Sequence, residues 1–289
     1  MAVKEFSLAT CFERLERLMA RDHPGVAPGG RTIAHVHAQR RERSVVLLHG
    51  MSASPAQFER VARDLYERGH NVVVPRLPHH GHIDPLSTAM ERLRSEELYE
   101  AAGEYVAVAR DLGERVTIAG FSLGGLLTAW AAQHFEFDRA VPVAPFFGVS
   151  WIPDRLMGPI AERLLRAPNR FHWWNPIVRE RHLPAHGYPR YATHALAQSY
   201  LLALDVMSHA NEGIAADELI FVTNAREAAV NNRAVRRLEE RLRSHNPERL
   251  KHAVLTDIPF SHDIIEPLRH PKIAEQVFPT ILSLIEGTS

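Results

Sequence analysis

Val116-Thr117-Ile118-Ala119-Gly120-Phe121-Ser122-Leu123-Gly124-Gly125-Leu126-Leu127-Thr128-Ala129-Trp130-Ala131-Ala132 is the stretch on which the reading of this chain turns. Its first four residues read as a buried strand, and the residues from Leu126 onward read as a helix. Between them stands G-x-S-x-G, Gly120 to Gly124. A turn that sharp holds Ser122 in a strained backbone conformation with its hydroxyl exposed. The neighbours two residues to either side must lack side chains so that strand and helix can approach. The Leu123 amide then lies at the helix N-terminus, where it faces developing negative charge. With sixteen glycines and fourteen serines in 289 residues, chance supplies this pattern only about 0.04 times per chain.

The same alternation extends outward from that stretch. Strands are expected at Thr32–Ala38, Ser44–Leu48, Asn71–Val74, Ala140–Ala144, Glu218–Thr223 and His252–Leu255, as well as Val116–Ala119. Helices are expected at Pro55–Arg68, Ser95–Asp111, Leu123–His134, Asn231–Ser244 and Pro271–Glu286. Runs such as Val45-Val46-Leu47-Leu48 lack polar alternation, which suits strands covered on both faces. Strands alternating with helices predict an α/β fold with a mainly parallel sheet. An N-terminal helix is expected over Phe6 to Met19, with residues 1–30 outside the core.

One interval breaks the rhythm. Residues 146–216 separate two strands and hold Trp151, Trp173 and Trp174 together with six prolines. The interval is too long for a loop and is read as a helical cap inserted into a core of residues 31–145 and 217–289. Trp151, Trp173 and Trp174, with Phe171 and Tyr188, are candidates for an apolar wall over a substrate. Arg155, Arg163, Arg166, Arg170, Arg179, Arg181 and Arg190 make the insertion basic.

A reactive serine needs a base. His262 follows the last expected strand and precedes the last helix, so its loop can reach the Ser122 turn. The base needs a carboxylate between the two in chain order. Glu227, after the strand Glu218–Thr223, is the candidate, with Asp154 and Asp257 as rivals. The loop His49-Gly50-Met51 follows an early strand, and its Met51 amide is a candidate to pair with that of Leu123 as an oxyanion hole. His49 reads as a brace for this loop. His79, His80 and His82 invite a metal reading, but no H-E-x-x-H or helical carboxylate spacing accompanies them, so no metal or cofactor is expected.

Composition narrows the class. The chain is 45% hydrophobic and 24% charged, and 34 basic residues cancel 34 acidic ones. Zero net charge argues against a nucleic-acid partner. No apolar run approaches a membrane span. One cysteine, Cys11, allows no internal disulfide, and the N-terminus lacks a signal-peptide core, so a cytoplasmic location is expected.

These pieces resemble the α/β-hydrolase superfamily, within it the monoglyceride-lipase and lysophospholipase-like (serine aminopeptidase S33-like) group. The resemblance rests on His49-Gly50, Pro55-Ala56-Gln57-Phe58, Pro75 to Gly81, the Gly120–Gly125 turn, Thr223-Asn224 and His262-Asp263, in order over residues 31 to 289. It implies a Ser122 nucleophile, a Glu227 acid and a His262 base, with an oxyanion hole of Met51 and Leu123. Family members more often carry aspartate where Glu227 stands. The implied activity is cofactor-free hydrolysis of a small ester or lipid-like molecule. Amide cleavage by the same residues, and a non-catalytic ligand-binding role, are the alternatives.

Overall fold

The apolar runs assemble as one sheet in the protein's computed structural model, which describes residues 8–179, 186–227, 229–259, 261–266 and 270–288. Its strands are β1 (Ile33–His35), β2 (Arg41–Leu48), β3 (Asn71–Val74), β4 (Gly113–Phe121), β5 (Arg139–Val143), β8 (Glu218–Asn224) and β9 (Leu250–Leu255). They lie in the order β1-β3-β2-β4-β5-β8-β9. Only β1 runs antiparallel to its neighbour β3, and the other pairs are parallel.

Alternate residues of each strand enter opposite layers, as the period of two requires. Val46, Leu48, Val73 and Ile118 pack in one core with α1 (Leu8–Met19), α3 (Ser95–Leu112), α4 (Leu123–His134) and α7 (Asn232–Arg243). Val45, Leu47, Val72, Val74, Ala119 and Phe121 pack in the other with α2 (Glu59–Glu67) and α8 (Pro271–Glu286). Both faces are therefore covered, which is why the strand sequences are almost uninterruptedly apolar. The chain leaves β2 toward β3 on one side and returns to β4 on the other. The crevice at such a switch lies beyond the carboxyl ends of the strands, where loops diverge. Here it lies between the ends of β2 and β4, whose Leu48 and Gly120 are register partners.

Several expectations shift. The strand expected over Thr32–Ala38 is three residues long, because only Ile33–His35 pairs with β3. The helix expected from Pro55 opens with a 3-10 turn, Pro55–Phe58, before α2. In α1, Leu15 and Leu18 are buried and Arg14 pairs with Asp111 of α3 at 2.5 Å. Phe6 and Arg181 lie outside the described residues.

Between β5 and β8 the chain forms α5 (Met157–Arg166) and α6 (Thr193–Ser208), but also an antiparallel ribbon of β6 (Phe171–Trp173) and β7 (Arg190–Ala192). The ribbon escapes sequence reading because three-residue strands show no period. Met157, Ala161, Tyr200 and Leu202 of this segment belong to the same core cluster as the sheet. Trp130 of α4 donates its indole N–H to Asp205 of α6 at 2.7 Å. Among the described residues no helix is long and apolar enough to cross a membrane.

Candidate active site

Ser122 sits between β4 and α4 with φ 54° and ψ −111°. A non-glycine residue there is strained, and the strain is held by surrounding hydrogen bonds. Its amide donates to Val143 O at 3.0 Å, and its carbonyl accepts from Leu126 at 2.9 Å and Phe146 at 3.0 Å. The flanking glycines are required by space. A Cβ at Gly120 would lie 2.3 Å from Gly124 O, and one at Gly124 would lie 2.0 Å from Leu48 O.

His262, from the loop after β9, brings Nε2 to 3.0 Å from Ser122 Oγ. Its Nδ1 lies 3.0 Å from Glu227 Oε2. A carboxylate only accepts, so Nδ1 carries the proton and Nε2 is left to accept from the serine hydroxyl. Glu227 is buried, with 1% of its side chain exposed. Burial opposes its charge, yet the hydrogen bond and charge of His262, with the Ala229 and Val230 amides, hold its carboxyl below the ordinary value. Neither rival faces the imidazole: Asp154 pairs with Arg237, and the side chain of Asp257 meets Thr256.

The loop after β2 is braced as the sequence suggested. His49 is buried, accepts from the Leu77 amide at 3.1 Å and donates through Nδ1 to Gly50 O at 3.0 Å. Ala53 donates to the same carbonyl at 3.2 Å. These two bonds pin the Gly50–Met51 peptide plane and so aim the Met51 N–H. Burial, reinforced by His80, keeps the His49 imidazole well below its ordinary pKa and neutral. Among the described residues neither the Met51 nor the Leu123 amide has a hydrogen-bond acceptor. Both are free to serve an oxygen bound beside Ser122.

The alpha/beta hydrolase family profile matches residues 45–257. The chain belongs to the alpha/beta hydrolase family. It is 27% identical over 99 residues to a thermostable monoacylglycerol lipase of Bacillus sp. (strain H-257), a match covering 34% of this chain and 38% of that protein. The match thus spans about two fifths of that relative's length. Among solved structures, the monoacylglycerol lipase of Paleococcus ferrophilus superposes with a TM-score of 0.66 at 18% identity, covering 89% of this chain and 98% of the other. A soluble variant of the Saccharomyces cerevisiae monoglyceride lipase gives 0.68 at 11% identity, over 89% and 91%.

In this alpha/beta hydrolase, Ser122 and His262 open onto a cavity of about 770 Å³. Its wall is largely apolar, with Phe146, Ile160, Leu196 and Tyr200 among its residues. Trp151 and Trp174 line it and are 78% and 50% exposed, so they stand at its mouth. Trp173 and Phe171 do not line it, which corrects the expectation for both. Along β6, residues 171 and 173 share a face and 172 and 174 take the other. The first pair packs on Arg190, whose guanidinium lies 4.3 Å from the Phe171 ring and 5.9 Å from that of Trp173. Of the described arginines singled out in the insertion, Arg179 alone lines the cavity. The histidine-rich run diverges: His79 meets Glu97 at 3.0 Å, His80 donates to Pro78 O at 2.8 Å, and His82 packs edge-on to His23.

Three supporting residues, Asn224, Gln57 and Ser52, were given no role from sequence. Asn224, buried at the end of β8, donates to Ser261 O at 3.0 Å and Pro259 O at 3.3 Å and accepts from the Arg226 amide at 2.9 Å. One side chain thus ties the loop of His262 to the loop of Glu227. Gln57 accepts from the Gly50 amide at 2.9 Å. Trp174 donates to Ser52 Oγ at 2.6 Å, and that hydroxyl donates to Met51 O at 2.6 Å. A polar residue closing an apolar strand run, as Asn224 does, was the available signal.

Proposed function

We propose that this protein hydrolyses carboxylic esters of small, lipid-like molecules through an acyl-enzyme on Ser122. The observation that carries the reading is the hydrogen-bonded series Ser122–His262–Glu227, with links of 3.0 Å each, opening on an apolar cavity. The imidazole of His262 takes the hydroxyl proton as Ser122 Oγ attacks the ester carbonyl. The carbonyl oxygen becomes an oxyanion and accepts from the Met51 and Leu123 amides, each worth roughly 3 kcal/mol in comparable sites. His262 then hands the proton to the departing alkoxide. Water repeats the sequence against the acyl ester and regenerates the serine. Throughout, Glu227 holds the Nδ1 proton in place and offsets the charge of the imidazolium.

Residues 146–216 act in this reading as the cap over a core of residues 31–145 and 217–289, with Trp151 and Trp174 binding the substrate at its entrance. An ester with an apolar acyl chain suits the wall chemistry. The relatives named as monoacylglycerol and monoglyceride lipases support a glyceride-like substrate. One cysteine in the whole chain fits a cytoplasmic setting.

A fluorophosphonate probe should label the wild-type chain and leave Ser122→Ala unlabelled. Labelling that survives the substitution refutes the nucleophile. A panel of p-nitrophenyl esters of rising acyl length should be turned over, with aminoacyl anilides far slower. The reverse preference would make the protein an amidase, and no turnover of either by unlabelled enzyme, from a preparation whose parallel sample reacts with the probe, would remove the substrate class.

A further inference from the structure

Away from the cavity, α4 and α6 end side by side. His134 closes α4, and His209 follows the last residue of α6. His134 Nδ1 lies 2.8 Å from Trp130 O, and His209 Nδ1 lies 2.9 Å from Asp205 O. A carbonyl only accepts, so each ring carries a proton on Nδ1 and Nε2 can offer a lone pair. Asp205 Oδ2 is anchored by the Trp130 indole at 2.7 Å, and Oδ1 lies 3.5 Å from His209 Nδ1.

Packing holds the first ring firmly. His134 stacks on Trp130 with centroids 4.1 Å apart, and Trp130 stacks on Tyr99 at 4.5 Å. His209 meets His134 edge-on at 5.1 Å. One ring nitrogen of each histidine and one oxygen of Asp205 lie within 4.8 Å of one another. Glu212 Oε1 is 4.0 Å from His209 Nε2.

We propose that His134, Asp205 and His209 bind one divalent transition-metal ion of the zinc class, with Glu212 in reach as a fourth ligand. Imidazole nitrogen with carboxylate oxygen favours zinc, nickel or copper over magnesium or calcium. Metal bonds of about 2.1 Å in a tetrahedron set ligand atoms about 3.4 Å apart. The ligand atoms therefore draw in by about an ångström on binding, which side-chain rotation of the half-buried Asp205 and His209 toward the held His134 ring supplies. The hydrogen bonds from Nδ1 to main-chain carbonyls are the outer-shell partners that commonly orient metal-bound histidines.

The ion would staple the C-terminal ends of α4 and α6. The other end of α4 carries the Leu123 amide, and α6 carries Leu196 and Tyr200 of the cavity wall. It would fasten the insertion to the sheet without entering the chemistry at Ser122. In the sequence only His79, His80 and His82 invite a metal reading; His134 and His209 are 75 residues apart and match no ligand spacing.

The test is metal titration of the full chain after dialysis against a chelator. Zn²⁺ is followed by calorimetry and Co²⁺ by its visible absorption, for wild type, His134→Gln, His209→Gln and the double variant. The expected result is one equivalent bound by wild type, at least tenfold weaker binding in each single variant, and a Co²⁺ band absent from the double variant. Zn²⁺ should raise the melting temperature of wild type and not that of the double variant. Equal melting temperatures in chelator establish that the variants fold. The chain has eighteen histidines, so binding unchanged by these substitutions would place the metal elsewhere and overturn the proposal, as would no binding at all. Binding without a change in melting temperature would overturn the staple. Ser122→Ala should bind the ion like wild type, which keeps this test separate from that of ester hydrolysis.

Discussion

Replacing Asn224 with alanine removes a side chain that ties the loop of Glu227 to the loop of His262. Its amide makes three hydrogen bonds, to Ser261 O, Pro259 O and the Arg226 N–H, at 3.0, 3.3 and 2.9 Å. Asn224 is fully buried, so water does not readily replace those partners. At about 1 kcal/mol net for each bond, the fold loses about 3 kcal/mol. For a chain of this size that corresponds to a fall in melting temperature on the order of 10 °C. The larger effect is on geometry. Ser261 directly precedes His262, and Arg226 directly precedes Glu227. Releasing both lets the 3.0 Å contacts on either side of the imidazole lengthen. A displacement of about 1 Å costs roughly 100-fold in rate, or about 2.7 kcal/mol of barrier. Stopped-time assays on a p-nitrophenyl ester should show that loss in kcat with KM little changed, because Asn224 does not line the cavity. The rate of fluorophosphonate labelling should fall in step. A variant that melts earlier but keeps kcat within threefold of wild type would refute the reasoning, since the loops would then hold their own register.

The remaining expectations bear on the acid, the turn and the fold's response to pH. Glu227→Gln should lower kcat by about 10³ to 10⁴, the range for losing the carboxylate behind a catalytic histidine, whereas Asp154→Asn and Asp257→Asn should stay near wild type; steady-state kinetics on the three variants decides, and a larger loss at either aspartate moves the assignment. Gly124→Ala should cost at least 3 kcal/mol by denaturant unfolding, because its Cβ would meet main-chain Leu48 at 2.0 Å and overpacking against rigid atoms is not relieved by rotamers; a stable, active variant would show that strand and helix can part. Burial holds His80 down to about 4 from its ordinary 6.5. The unfolded chain therefore binds more protons between those values, and stability present at neutral pH falls as pH drops through that window, by about 3 kcal/mol in all. Urea unfolding at a series of pH values should show a shallower loss for His80→Gln than for wild type, and equal slopes would assign the acid sensitivity to other groups.

What sequence alone determined is whatever depends on neighbours along the chain. The turn around Ser122 was legible because strand, glycines, serine and helix are consecutive, and sterics at Gly120 and Gly124 allow no other residues. The sheet was legible because strands covered on both faces must be apolar throughout. His49 as a brace for its loop and Glu227 as the carboxylate that meets His262 were legible from their places after strand ends. Tertiary structure decided what depends on residues brought together from afar. It put Trp174 on the cavity wall and Trp173 against Arg190, because the three-residue strand that sorts them by face exists only through its partner Arg190–Ala192. It made Asn224 a link from the loop of Glu227 to the loop of His262, whose Pro259 and Ser261 carbonyls lie 35 and 37 residues further on. It also brought His134 beside Asp205 and His209, an i,i+4 pair that lies far from it along the chain. Periodicity and turn chemistry act over a few residues, while hydrogen bonds and packing between loops act through space, and only folding relates the two.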